Sequence, residues 1–367
     1  MDTLALHDFH RKLGGRFLDL SGKEGVEDYG DARAEHAALR ESAGALDLSF
    51  RGRLCVLGAD RRIFLNGQVT NNVKNLKTGQ GCYAALVTAK GRMESDLNIY
   101  CLENELLLDF EPGLSAAVQG RLEKYIIAED VQVADAAPHY GLLSAQGPRA
   151  AAVVESLGLP VPREALGAAR MEDPALGEVV VAGQPRIGSG GFDIFVPAAS
   201  LAAAAEKLLT ATRAAGGRFC GWAALEIARI EAGIPRFGAD MDNTHLPPEA
   251  GLESRAVSYS KGCYIGQEVI ARVRTYGQVA KSLRGLRLPD DLPELPVKGG
   301  KLFLGEKEVG VITSAAASPT LKANIALGYV RREAGAPGTE LWVAAGGAKV
   351  SARIVELPFI SPSKSGK

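Results

Sequence analysis

The spacing of apolar residues changes character along this chain. Through roughly the first 230 residues, apolar positions three and four apart predict helices, at 31–44, 114–127, 198–214 and 222–233. Short apolar runs between these segments predict strands. Such alternation is typical of layered α+β domains. The polar, glycine-spotted residues 1–30 are expected to be loosely held.

Beyond residue 280 the pattern contains short strand-like runs only. Six strands are predicted, at 283–288, 301–304, 308–314, 325–330, 340–344 and 349–355. Gly, Pro and Asp separate them, which is the rhythm of a small β-barrel or sandwich. The sequence therefore predicts an α+β region over 1–280, a β-barrel over 281–360 and a disordered polar tail over 361–367.

A β-hairpin is predicted from strands at 82–88 and 93–100. Tyr83 and Asp96 fall on its paired strands, so their side chains are expected to lie near each other. Asp is disfavoured inside a strand. A solvated edge position explains Asp96 as well as a functional role does. Asp193 is a second acid within an apolar strand, at 192–196.

Composition describes an ordinary soluble protein. The 367 residues are 46% hydrophobic and 23% charged, and the length predicts two or three domains. A net charge of −1 gives no global attraction to nucleic acid or to an anionic membrane. The N-terminus is unlike a signal peptide and no apolar stretch is long enough to span a bilayer, so a cytoplasmic location is predicted.

The cysteines indicate neither a disulfide framework nor a zinc site. There are five, an odd number, and no pair has the C-x-x-C spacing. No metal site is therefore predicted. Cys263 differs from the others because it lies among charged residues and glycines.

The segment 261–268, hereafter the cysteine segment, is dense in reactive groups. Cys263 supplies a thiol, Lys261 an ammonium, and Gln267 and Glu268 an amide and a carboxylate. Cations crowd this part of the chain, at Arg255, Lys261, Arg272, Arg274, Lys281, Arg284 and Arg287.

Two interpretations of the cysteine segment stay open. Nearby cations favour a thiolate, which can attack an electrophile, exchange disulfides or bind a metal. Alternatively Cys263 is a small buried residue in a glycine turn. The cations also suit a polycarboxylate or RNA phosphate, while Gln267 and Glu268 suit the N–H donors of a heterocycle.

The cysteine segment resembles the signature of the YgfZ family of folate-binding proteins, relatives of the glycine-cleavage T-protein (GcvT). The loop 64–72, the hairpin 91–97 and the helix end 229–238 resemble segments of the same proteins. The resemblance runs from about Asp47 to the C-terminus. It implies a ring of three domains, two mixed and one C-terminal β-barrel, with tetrahydrofolate or a one-carbon derivative in a central channel.

The resemblance also implies roles for individual residues. Asp96 matches the T-protein acid that faces the reactive folate nitrogens, and Asp193 falls where the T-protein has a pterin-binding glutamate. Tyr83, Arg229 and Phe237 match positions that line the ligand. Lys261 is expected to lower the pKa of the Cys263 thiol on the rim of the channel.

Three functions are compatible with these observations. The first is a folate-dependent accessory protein that assembles or repairs iron–sulfur enzymes, including those of tRNA modification. Its partners are folate and these enzymes or their assembly proteins, and Cys263 is its reactive or ligating thiol. The second is an aminomethyltransferase, in which Asp96 orients or activates a folate nitrogen for attack on an aminomethyl-lipoyl carrier. The third is a non-enzymatic module that binds RNA or protein, which the sparse aromatic residues of the basic region disfavour.

Overall fold

The computed structural model describes residues 1–361, apart from the side chain of Tyr276. Its helices are α1 (His7–Lys12), α2 (Ala32–Glu41), α3 (Arg61–Gln68), α4 (Ser115–Glu123), α5 (Ala150–Ser156), α6 (Leu201–Ala214), α7 (Trp222–Glu231), α8 (Glu253–Ala256) and α9 (Gln267–Tyr276). The first strands are β1 (Arg16–Leu20), β2 (Lys23–Asp28), β3 (Gly44–Asp47), β4 (Gly52–Leu57), β5 (Gly81–Val87), β6 (Met93–Cys101) and β7 (Glu105–Phe110). They are followed by β8 (Gln132–Asp135), β9 (Tyr140–Gln146), β10 (Ala168–Asp173), β11 (Gly177–Gly183), β12 (Gly191–Pro197) and β13 (Arg218–Phe219). The last are β14 (Lys281–Arg287), β15 (Lys301–Leu304), β16 (Lys307–Ser318), β17 (Ala323–Arg331), β18 (Glu340–Ala345) and β19 (Ala348–Val355).

Two large sheets share most of the chain before residue 280, and β1 and β2 form a separate two-stranded sheet. One has six strands in the order β10-β11-β12-β9-β3-β13, and the other has five in the order β5-β6-β7-β4-β8. The chain starts the first sheet with β3, builds the second with β4 to β8, and then returns with β9. Each sheet has helices packed against it, which confirms the mixed α+β architecture.

The C-terminal β-barrel is confirmed. Six strands close in the order β14-β17-β16-β15-β18-β19, with β14 paired to both β17 and β19. Buried and exposed positions alternate along β19, as expected where one face of a strand points into a barrel. Its inward residues join Leu286, Ile312 and Val343 in one apolar cluster.

The N-terminal residues are ordered, so the prediction of a loose segment over 1–30 is wrong. They form α1 and the β1–β2 hairpin. His10 is fully buried and hydrogen-bonds Asp47 at 2.9 Å and Tyr29 at 2.7 Å. Polar residues are held here because they pair with one another. Of the tail predicted to be disordered, only Ser361 is among the described residues.

The helices are short. The longest, α6, has 14 residues. In the part of the chain that the structure describes, no helix combines the length and apolar character that crossing a membrane requires.

The predicted helix α2 begins as expected, because Asp31 accepts a hydrogen bond from the Ala34 amide at 2.9 Å.

One apolar cluster joins the barrel to the rest of the molecule. It contains Val87 and Met93 of the β5–β6 hairpin, Ile230 of α7, and Ile325 and Tyr329 of β17. All five are at least 97% shielded from solvent. The barrel therefore shares its core with the two elements that bound the cavity described next.

Candidate functional site

A cavity of about 490 Å³ lies where the two sheets meet. The β5–β6 hairpin, the turn between β3 and β4, the loop between β11 and β12, and α7 all contribute side chains to it. This volume is in the range of sites for drug-sized ligands. Trp222 and Leu225 of α7 supply apolar surface, and charged side chains supply much of the remainder.

Tyr83 and Asp96 meet on one wall of this cavity, which confirms the contact predicted from the hairpin. Tyr83 lies opposite Asn98 in the strand register, so Asp96 is its diagonal neighbour on the same face. The Tyr83 hydroxyl donates a hydrogen bond to Asp96 Oδ2 at 2.8 Å. Tyr83 thereby fixes the orientation of the carboxylate.

The other oxygen of Asp96 lacks a partner. Oδ1 is buried and accepts no hydrogen bond from the described residues. Burial and the neighbouring Glu111 charge raise the pKa of Asp96 to about 6, against the opposing effects of Tyr83 and Arg51. Buried acceptors are nearly always paired in folded proteins. Oδ1 is therefore a place where a ligand N–H would complete the site.

Asp109 anchors two of the cavity's guanidinium groups. It accepts from Arg51 Nε at 2.6 Å, from Arg186 Nη2 at 2.9 Å and from the Asn98 amide at 2.9 Å. Burial alone would raise the pKa of Asp109, but the two guanidinium groups outweigh burial and lower it. Asp109 is thus a carboxylate that holds Arg51 and Arg186 in place at the cavity wall.

The ion pairs continue around the cavity to the barrel. Glu111 pairs with Arg51 and, at 3.3 Å, with Arg236. Glu226 pairs with Arg236 at 3.0 Å and with Arg229 at 2.9 Å. Arg229 also binds Asp240 and donates to Ser314 of β16 at 2.8 Å. This chain of charges links both sheets, α7 and the barrel.

Among the cations that line this cavity, Arg255 forms the fewest hydrogen bonds and ion pairs with the described residues. Its side chain is exposed, and its guanidinium carbon lies 5.3 Å from the centre of the Tyr83 ring. Within residues 1–361 it forms no ion pair. A cation at this position suits an anionic group on a ligand that contacts Tyr83.

Three residues predicted to bind the ligand have other main contacts. Arg229 lines the cavity, but its nitrogens donate to Glu226, Asp240 and Ser314. Asp193 is fully buried, pairs with Arg186 and does not line the cavity. Phe237 lies in the core shared with the barrel.

The ammonium group of Lys261 is bound by backbone carbonyls of the protein. Its ammonium donates to the backbone carbonyls of Asn66, Val69 and Asn71 at 2.5–2.7 Å. Burial lowers the pKa of Lys261 to about 8. The three carbonyls occupy the three hydrogens of the ammonium group, so Lys261 secures the end of α3 and the loop that follows.

The cysteine segment does not form the channel wall that the sequence predicted. Cys263 and Glu268 are exposed, Gln267 accepts from the Tyr264 amide at 3.3 Å, and none of the three lines the cavity. The reason is the close packing of Gly266, which has a φ of +85°. A Cβ added to Gly266 would lie 2.5 Å from the Thr88 carbonyl oxygen. The segment thus packs on the hairpin turn, whereas Tyr83 and Asp96 lie further along the strands.

Several cavity residues were absent from the sequence prediction. They are Arg51, Asn98, Glu111, Arg186, Trp222, Glu226 and Arg236. A charged residue in an apolar run was the signal that drew attention to Asp96 and Asp193. The same signal marks Asp109 in the run 106–110, and Asp109 is the residue that holds Arg51 and Arg186.

A second cavity, of about 1050 Å³, lies between α7 and the barrel. It shares Glu226 and Arg236 with the first. The ion pair between these two residues therefore stands where the two cavities adjoin.

Comparison with known proteins identifies similar chains along the full length. The family model for the "GCVT N-terminal domain" matches residues 6–261, and that for the "Glycine cleavage T-protein C-terminal barrel domain" matches residues 281–360. An aminomethyltransferase of Symbiobacterium thermophilum is 32% identical, with 96% of each chain covered. One of Cupriavidus necator is also 32% identical, covering 100% of this chain and 99% of that protein. The crystal structure of glycine cleavage system aminomethyltransferase T from Bartonella henselae superimposes with a TM-score of 0.89 at 28% identity, covering 98% of each chain.

These comparisons correct the first of the three functional expectations. The accessory role in iron–sulfur enzymes and tRNA modification is wrong, because the similar full-length proteins are named aminomethyltransferase. The expected iron–sulfur partners have no support. The specific resemblance to YgfZ rested on the cysteine segment, which lies outside the cavity.

Proposed function

The chain belongs to the glycine cleavage T-protein (GCVT) family, and on that premise we propose that it is an aminomethyltransferase acting on tetrahydrofolate. The observation that carries the proposal is the buried Asp96 Oδ1, which has no partner among the described residues, on the wall of a cavity of ligand size. In the proposed complex an N–H of a reactive folate nitrogen donates to this oxygen. The Tyr83 hydroxyl holds the other oxygen, so the acceptor is oriented before the ligand arrives.

The ionisation of Asp96 agrees with this role. With a pKa of about 6, the carboxyl group is mainly ionised at neutral pH and acts as an acceptor. Its basicity still exceeds that of an ordinary aspartate, which strengthens the hydrogen bond it accepts from the nucleophile. A group with a pKa near the working pH is suited to proton transfer.

The proposed reaction balances without an oxidant or a metal. The donor is a lipoyl carrier whose thiol sulfur bears an aminomethyl group. The C–S and C–N bonds of that group break, and two new C–N bonds join its carbon to two folate nitrogens. The two hydrogens that leave these nitrogens are accounted for in the released thiol and ammonia. Asp96 orients the attacking nitrogen and receives or relays its proton.

The remaining cavity groups suit the rest of the folate molecule. Trp222 offers an aromatic surface to a flat ring, and Arg236 covers that indole at 4.8 Å. Arg255, the exposed cation beside Tyr83, is placed to pair with the glutamate carboxylates of folate. We assign the approach of the carrier arm to the second cavity, because it adjoins the first at Glu226 and Arg236.

The test is the formation of methylene-tetrahydrofolate from tetrahydrofolate and a purified, aminomethylated lipoyl carrier. We expect turnover by the native protein and a rate at least about 100-fold lower for Asp96→Asn. The matched control is Glu94→Gln on the same strand, because Glu94 pairs with Arg121 at 2.8 Å and does not line the cavity. This control should stay within about two-fold of the native rate. The proposal fails if the native protein forms no methylene-tetrahydrofolate, or if Asp96→Asn is as active as the control.

A further inference from the structure

Asp193 is saturated by its neighbours. Its Oδ1 accepts from the Ser144 hydroxyl at 2.8 Å and from Arg186 Nε at 3.1 Å, and its Oδ2 accepts from Arg186 Nη2. It has no exposed surface. An aspartate is one methylene shorter than the glutamate that the family resemblance implies here. The carboxylate is thus withdrawn from the cavity, and Arg186 lies there instead.

Two of the three guanidinium nitrogens of Arg186 donate to carboxylates of the protein. Nε and Nη2 donate to Asp193 and Asp109, both fully buried. The other terminal nitrogen, Nη1, has no protein acceptor within residues 1–361, and it is not among the atoms sealed from solvent. Two fixed nitrogens leave the planar guanidinium little freedom. Nη1 is therefore an oriented donor on a residue that lines the cavity.

We propose that Arg186 determines specificity by donating to an acceptor oxygen of the ligand ring. This inference rests on the proposed function, in which tetrahydrofolate occupies the cavity. A pterin ring carries such an oxygen in its ring carbonyl, on the pyrimidine half of the molecule. Asp96 then accepts from the reactive nitrogens while Arg186 donates to the carbonyl oxygen. One residue therefore recognises a donor of the ligand, and the other recognises an acceptor.

This arrangement predicts discrimination against a 4-amino folate. In such an analogue an amino group replaces the ring carbonyl oxygen, so a donor meets the Arg186 donor. The glutamate tail and the reactive nitrogens are unchanged. Because an unpaired or opposed charged donor weakens binding strongly, we expect the 4-amino analogue to bind about 10- to 100-fold more weakly.

The experiment compares ligands on the intact protein. Calorimetric titration gives the Kd of tetrahydrofolate and of its 4-amino analogue, in alkaline buffer that keeps both rings neutral. Substituting Arg186 alone would leave buried Asp193 unpaired and risks misfolding. The test variant is therefore Arg186→Gln combined with Asp193→Asn, which removes one charge of each sign. The matched control is Asp193→Asn alone, which retains Arg186.

The outcomes separate this inference from the proposed function. A preference of about 10-fold or more for tetrahydrofolate in the native protein and the single variant, falling below about three-fold in the double variant, supports the role of Arg186. Equal binding of the two ligands to the native protein overturns that role but leaves folate binding intact. An undiminished preference in the double variant overturns it too. Binding of neither ligand overturns the folate proposal, and this inference with it.

Discussion

At the scale of the residue, the environment of Asp96 disfavours its ionised form. Its carboxylate is buried among groups that include Glu111, yet within residues 1–361 it accepts a side-chain hydrogen bond only from Tyr83. Burial and the like charge favour the protonated form, so the folded protein is less stable with Asp96 ionised than it would be with a neutral group there. This cost is consistent with a site that only a bound ligand completes.

The pH dependence of activity follows from the raised pKa of Asp96. We expect the acidic limb of the kcat/KM profile to have a midpoint at about pH 6, because protonation removes the acceptor on Asp96. Stability changes in the opposite sense. The folded pKa of Asp96 lies above the unfolded value of 3.8, so its destabilising contribution is present above about pH 6 and disappears as the pH falls from there toward 3.8.

The measurement is a kcat/KM profile with thermal melts at the same pH values. The Glu94→Gln control should keep the limb near pH 6, and Asp96→Asn should melt no lower than the native protein at neutral pH. A limb centred near pH 4, or a melting point well below the native one, would contradict this account of Asp96.

Cys263 provides a second prediction at this scale. It is exposed and does not line the cavity. We expect Cys263→Ala to change the rate of methylene-tetrahydrofolate formation by less than about two-fold and to leave the melting temperature unchanged. In the folded protein, Cys263 should react with a thiol reagent faster than buried Cys101 and Cys220. A variant with strongly reduced activity would restore a role for the thiol.

At the scale of elements, Lys261 joins two distant parts of the chain. Its three carbonyl acceptors belong to the end of α3 and the following loop, about 190 residues earlier in the sequence. Gly266, five positions later, packs against the turn of the β5–β6 hairpin. The cysteine segment is therefore a clamp that secures the end of α3 and the turn of the β5–β6 hairpin from outside the cavity.

Replacing Lys261 tests this clamp. Lys261→Met keeps the aliphatic stem but leaves three carbonyls without their donor, so we expect a loss of about 3 kcal/mol in the free energy of unfolding. Lys74→Met, at an exposed lysine in the loop after α3, is the matched control and should stay within about 0.5 kcal/mol. Denaturant unfolding measures both. Equal stability of the two variants would show that the clamp contributes little.

The difference between local and distant contacts explains what the sequence could predict. The Tyr83–Asp96 contact followed from one hairpin, in which strand, turn and strand are adjacent and the register fixes the neighbours. The barrel followed from six consecutive strand-like runs with no α-helix between them. The environments of Lys261 and Gly266 depend on segments far away in sequence, which no local pattern specifies. Asp193 was noticed, but its pairing depends on how the loop between β11 and β12 directs Arg186.

At the scale of the whole molecule, the charges around the cavity and the shared core unite the domains. The ion pairs run from Asp193 through Arg51 and Arg236 to Asp240 beside the barrel. The apolar cluster behind them combines the hairpin, α7 and β17. Both features connect the elements that carry the cavity residues to the barrel, although the residues that line the cavity all precede residue 281.

Removing the barrel should therefore disrupt the remainder. We expect residues 1–280 alone to lose cooperative melting, or to melt at least about 10 °C below the full chain, because the shared core is exposed. The full chain should show one calorimetric transition. Two separate transitions in the full chain, or a fragment that melts at the native temperature, would show that the domains are independent.

The position of Trp222 has an optical consequence. The chain contains two tryptophans, and the other, Trp342, stacks on Phe303 in the barrel, away from the cavity. A ligand that enters the cavity displaces water from Trp222 and places its own ring near that indole, while the emission of Trp342 stays constant. Intrinsic fluorescence thus contains a reporter of occupancy, to which Trp342 adds a constant background. Ligand entry can be followed in real time, without a dye, on the native protein.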